Sequence, residues 1–277
     1  MLNTVNYAIV KEAVMKSKPI AGVLLLMVSS FAVAQAHFPT PDGAASALTK
    51  AISEQDQRAM QDLLGDNWHD ALPPEGVDPD AVDRFLRDWQ VKHEIVLDGE
   101  VAHLAVGSSG WQLPVPLVKT AEGWRFDMKA GAEEIQTREI GRNELAAMEA
   151  LHAYVDAQQS YYALNHRYAQ SIVSTPGKKE GLYWPTVPGE APSPLGPAFN
   201  PPQPGEGYHG YHFRILPAQE GFAMVAWPVS YGQTGIMSFI IDQDDKVYQR
   251  NLGADSQQQA QAMSAFTTAP GWQPVAR

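Results

Sequence analysis

GRNELAAMEALHAYVDAQQSYYALNHRYAQSIV, residues 141–173, is the stretch whose reading decides the fold. Leu145, Met148, Leu151, Val155, Gln158, Tyr162, Asn165, Ala169 and Ile172 follow one another at steps of three or four, the spacing of one helix face. Ala, Glu, Gln, Leu and Met fill its first half, all good helix formers. The spacing predicts one long helix over 141–173, dividing two unlike halves. Two amides on the stripe, Gln158 and Asn165, need partners if buried, so the helix is expected to leave the core near Asn165. Ser174, Thr175, Pro176 and Gly177 cannot continue a helix and mark its end.

Before this helix, Pro41-Asp42-Gly43 opens a helix whose face carries Ala44, Ala47, Leu48, Ala51 and Ile52. After a break near residues 54–56, Met60, Leu63 and Leu64 continue it. Residues 73–76 (PPEG) read as a loop, and Asp78 caps a helix beginning at Pro79, with Val82, Phe85, Leu86 and Trp89 inward. Strands are expected over 94–97, 101–106, 111–119 and 123–128, with Asp98-Gly99 and residues 108–110 as turns. Trp68, His69 and Asp70 form a tempting acid/base set. Neighbours in sequence point different ways, however, and a surface loop is the preferred reading.

After the helix, prolines 176, 185, 188, 192, 194, 197, 201, 202 and 204 exclude helix and central strand. Leu182, Tyr183, Trp184, Leu195 and Phe199 lie among them, so the segment reads as an ordered loop draped over a sheet and anchored by its large apolar groups. Strands are expected over 211–216, 222–229, 235–241 and 247–252, joined by short connections into an antiparallel meander. The fold class is α+β. Its expected parts are a leader over 1–36, a first domain over 37–140, a second over 141–253, and a tail over 254–277.

The leader is read from residues 15–36. Lys16 and Lys18 precede an apolar run from Ile20 to Val28, and Ala34-Gln35-Ala36 supplies an A-x-A site, so cleavage is expected between Ala36 and His37. A retained membrane anchor is the alternative. The processed product is expected in the periplasm or secreted, with no membrane association after leader removal.

Charge and composition narrow the function further. The 277-residue chain carries a net charge of −11, and Lys178-Lys179 is its only adjacent basic pair, so no nucleic-acid partner is expected. It has no cysteine, which excludes disulfides, thiolate metal sites and a cysteine nucleophile. No G-x-S-x-G elbow, phosphate loop or H-E-x-x-H occurs. Neither catalytic residues nor a cofactor nor a metal is expected, and the chain reads as a non-catalytic binding or assembly module; the alternative is a small-ligand-binding protein or an enzyme that uses a pocket in the first domain. The acidic residues of 242–245 (DQDD) read as a solvated hairpin turn rather than a calcium loop.

The candidate binding residues are Trp184, Tyr208, His209, Tyr211, His212 and Trp227. His209 and His212 would face opposite sides of an extended strand, and only a turn at Gly210 brings them together. His152 and His166 lie too far apart along the helix for joint ligation.

The blocks NELAAMEALHAYVDAQQSYY, STPGKKEGLYWP, PSPLGPAF, GYHGYHFRIL and GFAMVAWPVSYGQTGIMSFIIDQDDKVYQRNLG resemble a bacterial family of exported proteins, domain of unknown function 2950 (DUF2950). That resemblance implies no particular activity. The element order of residues 37–140, ending in GWRFD, resembles the cone-shaped nuclear-transport-factor-2-like fold, which implies a pocket that binds a small ligand or is filled. The second half resembles a type IV pseudopilin head, a long helix followed by a variable loop and an antiparallel sheet with an AWP-like strand. It departs from pilins in its A-x-A leader, from which no long apolar helix continues. Two partner classes follow: an envelope protein, or a small ligand held in the first domain.

Overall fold

A computed structural model describes residues 35–71, 77–199, 207–218 and 221–275. Residues 1–34 of the expected leader, Ala34 included, the loop at 73–76, and prolines 201, 202 and 204 lie outside the described residues. Within them the class is α+β, as expected: helices and two antiparallel sheets.

Thr40 caps α1 (Pro41–Glu54) by accepting the Gly43 N–H, and Gln55 ends it in a left-handed turn. Asp56 then caps α2 (Gln57–Leu64), and Asp78 caps α3 (Pro79–Val91), whose first residue is the proline favoured there. The first sheet follows, from β1 (His93–Asp98), β2 (Val101–Val106), β3 (Trp111–Gln112), β4 (Leu117–Thr120) and β5 (Gly123–Phe126), in the order β1-β2-β4-β5 with β3 on β2. The single strand expected over 111–119 is two strands, because Pro114 and Pro116 cannot donate to a ladder. Leu48, Leu63, Trp68, Leu117, Trp124 and Phe126 fill the space between the helices and this sheet.

The long helix is the main correction. α4 runs Met128–Asn165, beginning well before residue 141 and ending eight residues before Val173. Asp127 starts it, its carboxylate accepting the N–H groups of Lys129 (3.1 Å) and Ala130 (3.2 Å). Gly131 does not break it, because a Cβ there would sit 2.8 Å from Val115 Cγ2; the glycine lets the helix close on the first sheet. His166 ends it in the left-handed conformation, its N–H bonded to Tyr162 O. The chain then doubles back, and Gln158, fully buried, holds both backbone groups of Ala169: it donates to the Ala169 carbonyl at 2.8 Å and accepts the Ala169 N–H at 2.9 Å. Ala169 and Ile172 thus lie in the same core as the stripe without being helical. Leu145 and Tyr162, expected inward, are exposed, and the buried face is Ala147, Leu151, Tyr154, Val155, Gln158 and Tyr161.

The second sheet, ordered β10-β9-β8-β7-β6, contains β6 (Tyr211–Leu216), β7 (Ala223–Pro228), β8 (Ser238–Asp242), β9 (Val247–Arg250) and β10 (Gln273–Pro274). One face, with Tyr211, Met224, Ala226, Phe239 and Ile241, packs on α4. The loop covers the same core through Leu182, Trp184 and Leu195; Leu182 N–H bonds Ile172 O at 2.9 Å and Leu195 N–H bonds Leu182 O at 2.9 Å. The opposite face, with Leu216, Val225, Trp227 and Ile240, is covered by α5 (Ser256–Ala262) and Trp272. Residues 254–275, expected as a tail, are therefore a layer of the fold. Arg214 binds them, donating to Ala260 O (2.7 Å) and Met263 O (2.8 Å).

Candidate functional site

The aromatic and histidine cluster enters β6 through a two-residue hairpin. Tyr208 and Tyr211 exchange both backbone bonds (2.8 and 3.0 Å), while His209 (φ 47°) and Gly210 (φ 70°) occupy its left-handed corners. The turn at Gly210 is present. His209 stays exposed at its tip, edge-on to Tyr208 at 4.3 Å between ring centroids. His212 lies on the sheet face turned toward α5, paired with Trp227 across the ladder at 5.5 Å. Burial holds the His212 imidazole below its ordinary pKa, since the cation is poorly solvated there. Among the described residues no group of three His, Cys, Asp or Glu is placed to hold a metal ion.

The six candidate residues do not converge. Tyr211 is fully buried against α4, its hydroxyl donating to Met237 O at 2.8 Å and its pKa pushed up by burial and by the nearby Glu144 carboxylate. A side chain at Gly235 would collide with that hydroxyl. Trp184 belongs to the same core, with Lys179 Nζ 5.6 Å above its ring. Tyr208 stacks on Phe199 at 5.0 Å. Trp227 is core on the opposite face of the sheet.

Two features escaped sequence reasoning. The loop between β7 and β8 is strapped to α4 by polar side chains: Gln136 donates to Gly232 O (2.8 Å), Asn143 donates to Thr234 O (3.0 Å), and Glu144 accepts the N–H groups of Ile236 (3.0 Å) and Met237 (2.9 Å). The 242–245 turn, a hairpin turn as expected, also docks on α4, where His152 Nδ1 meets Asp245 Oδ1 at 2.5 Å. Gln136 and Asn143 lie two helical turns apart and share a face, a signal present in the sequence, but their backbone partners follow no side-chain pattern.

A third arrangement stands at the far end of α4. Tyr162, 43% exposed, stacks on Tyr168 at 4.7 Å; Tyr168 meets Phe222 at 4.9 Å; and Phe222 meets buried Tyr154 at 5.5 Å. Leu164, on the opposite flank of the helix's last turn, is 73% exposed. This ladder fixes a solvent-facing aromatic to the core.

In the first half a cleft of about 250 Å³ opens between the β2–β4 surface and α4, lined by His103, Gln112, Leu113, Pro114, Pro116, Ala130, Glu134 and Arg138. Arg138 donates from Nε to Glu134 (2.7 Å) and from Nη1 to Gln112 O (2.7 Å), with the Trp111 ring 5.8 Å from its guanidinium carbon. Trp68 is buried in the first core with His69 packed on it at 3.8 Å, and His69 and Asp70 face solvent outside this cleft.

Of the expected cleavage site, Ala36 N–H bonds Asp62 O (2.7 Å) and His37 approaches Glu122 at 3.5 Å. Gln35 donates to Leu63 O and Phe126 O, each at 2.8 Å. Among the described residues no helix is long and apolar enough to cross a membrane.

A family model described as a protein of unknown function, DUF2950, matches residues 35–220 and 219–275. No curated protein matches the chain.

Proposed function

The chain belongs to the DUF2950 family, and from that premise we propose that it is an exported, non-catalytic binding or assembly module of the periplasm. The observation that carries the reading is the Tyr162–Tyr168–Phe222–Tyr154 ladder, which holds Tyr162 in solvent. An exposed aromatic already immobilised by stacking loses little rotamer freedom on contact, and such residues anchor protein interfaces. A further feature fits a binding role: the buried hydroxyls of Tyr154 and Tyr211 are bonded to backbone carbonyls and are not presented to a substrate. Export is supported by the basic, apolar and A-x-A parts of residues 15–36.

The test places a photo-crosslinking aromatic amino acid at Tyr162 in cells and, as a control, at Lys50 on the exposed side of α1. One discrete adduct with an envelope protein from position 162, absent from position 50, is expected. No adduct, or equal labelling at both positions, overturns the reading. The exported form is expected to begin at His37. That cleavage removes Gln35, so the 35–126 bonds belong only to the unprocessed chain.

The first-half cleft favours a second reading, a small-ligand site built on Arg138, His103 and Glu134. At about 250 Å³ it lies under the roughly 300–1,000 Å³ of drug-sized sites, so it suits only a ligand of few atoms. Thermal stabilisation by a small organic acid, lost in Arg138→Ala, is the expected sign of it.

A further inference from the structure

The first sheet ends differently on its two sides. On the β5 side, Phe38 and Trp124 exchange both backbone bonds (2.8 and 2.7 Å), so the strand is covered. On the β1 side no other described strand pairs. The ladder's phase states which groups of β1 are left. Lys92 O accepts the Gly107 N–H at 2.9 Å, one step before the His93–Val106 pair, so the bonds to β2 run through Lys92, Glu94, Val96 and Asp98. β2 agrees independently: Leu104 O accepts the Leu113 N–H at 2.8 Å on the far side, leaving His103 and Ala105 to face Val96 and Glu94. The N–H and C=O groups of His93, Ile95 and Leu97 therefore point outward.

This row is self-complementary. In an antiparallel pairing with a second copy centred on Ile95, Ile95 opposes Ile95 and His93 opposes Leu97 twice, so all the outward groups bond. A slip of one residue sets outward groups against inward ones. Slips of two set Glu94 against Glu94 or against Asp98 of the second copy, like charges in direct opposition. The centred register instead sets Lys92 against Asp98 twice. The side chains agree as well. Lys92, Glu94, Val96 and Asp98 share one face, and the Lys92–Glu94 ion pair at 3.0 Å lies on it. On the other face Leu97, 62% exposed, would meet His93 of the second copy, whose ring lies flat on Trp89 at 3.8 Å.

We propose that the protein forms a two-fold dimer in which β1 pairs antiparallel with β1 of a second copy, Ile95 opposite Ile95, making one continuous sheet. Antiparallel edge pairing of this kind satisfies backbone groups that otherwise remain a liability.

Sedimentation velocity of the full chain over a wide concentration range tests it, with circular dichroism confirming that each variant is folded. A concentration-dependent monomer–dimer equilibrium is expected. Lys92→Glu, which opposes Asp98, should weaken it by about tenfold or more. Lys92→Glu combined with Asp98→Lys should restore it, and Leu97→Pro, which removes an outward N–H, should abolish it. Hydrogen exchange supplies an independent reading: the His93, Ile95 and Leu97 amides should exchange slowly in the dimer and fast in the folded Lys92→Glu monomer. A chain monomeric at every concentration overturns the proposal. So does a dimer that both Lys92→Glu and Leu97→Pro leave intact, or a folded double variant that stays monomeric.

Discussion

Where the chain doubles back after α4, Gln158 holds the Ala169 N–H and C=O at once and also donates to the Tyr154 hydroxyl at 3.1 Å. Gln158→Ala leaves buried backbone groups without partners, each costing roughly 1–3 kcal/mol, so the urea midpoint should fall by the equivalent of about 2–4 kcal/mol. An unchanged midpoint would mean that the returning segment is not held this way. His212 makes a pH-dependent contribution. Its folded pKa lies below the unfolded value near 6.5, so the unfolded chain takes up the proton first as pH falls, and stability drops on acidification through that range. His212→Gln should flatten this part of the melting-temperature profile. The tyrosines act at the other end: Tyr154 and Tyr211 are held above the ordinary value of 10.0, so stability should fall as pH rises beyond it, less steeply in Tyr154→Phe. At this scale the sequence was half legible. The stripe showed Gln158 as a buried amide in need of a partner, and only the returning chain supplied one.

Among elements, α4 does the most, because both sheets, the β7–β8 loop and the 242–245 turn are fastened to it. Gly131→Ala would press a Cβ to 2.8 Å from a Val115 methyl and 3.1 Å from its backbone Cα, and a loss of about 1–3 kcal/mol is expected from such overpacking. A thermal melt that does not shift would show that the helix and first sheet can part without cost. Glu144→Ala removes the acceptor for two N–H groups of the β7–β8 loop; amide exchange at Ile236 and Met237 should quicken while β7 stays protected. The helix was legible from its periodicity, but its ends were not. The expected start at Gly141 lies inside the helix, which also runs through Gly131, and the proline at 176 marks only the latest place a helix could stop.

At the scale of the molecule, one uninterrupted helix of 38 residues contributes side chains to the packing of both halves, Gly131 against Val115 and Leu151, Tyr154 and Val155 in the second core. Unfolding should therefore be a single cooperative transition, seen as one calorimetric peak for the two sheets; two resolved peaks would show that the helix does not couple them. Chelator treatment should leave the melting temperature unchanged, since among the described residues no cluster of metal-ligating side chains contributes to either core.

Several properties of this protein are determined by its sequence alone. Helix and strand types follow from periods of 3.6 and 2, the α+β class from their succession, and the covalent limits from the absence of cysteine. These depend on neighbours in the chain. Tertiary structure alone decides that the Gln158 side chain holds the backbone of Ala169, that residues 254–275 form a layer over the second sheet, that Trp184 and Trp227 lie on opposite faces of it, and that the aromatic cluster disperses while Tyr162 is held in solvent. Each of these is a contact between residues distant in sequence, made through backbone groups or sheet faces that carry no local signature. Periodicity indicates which side of an element is buried but not what it is buried against.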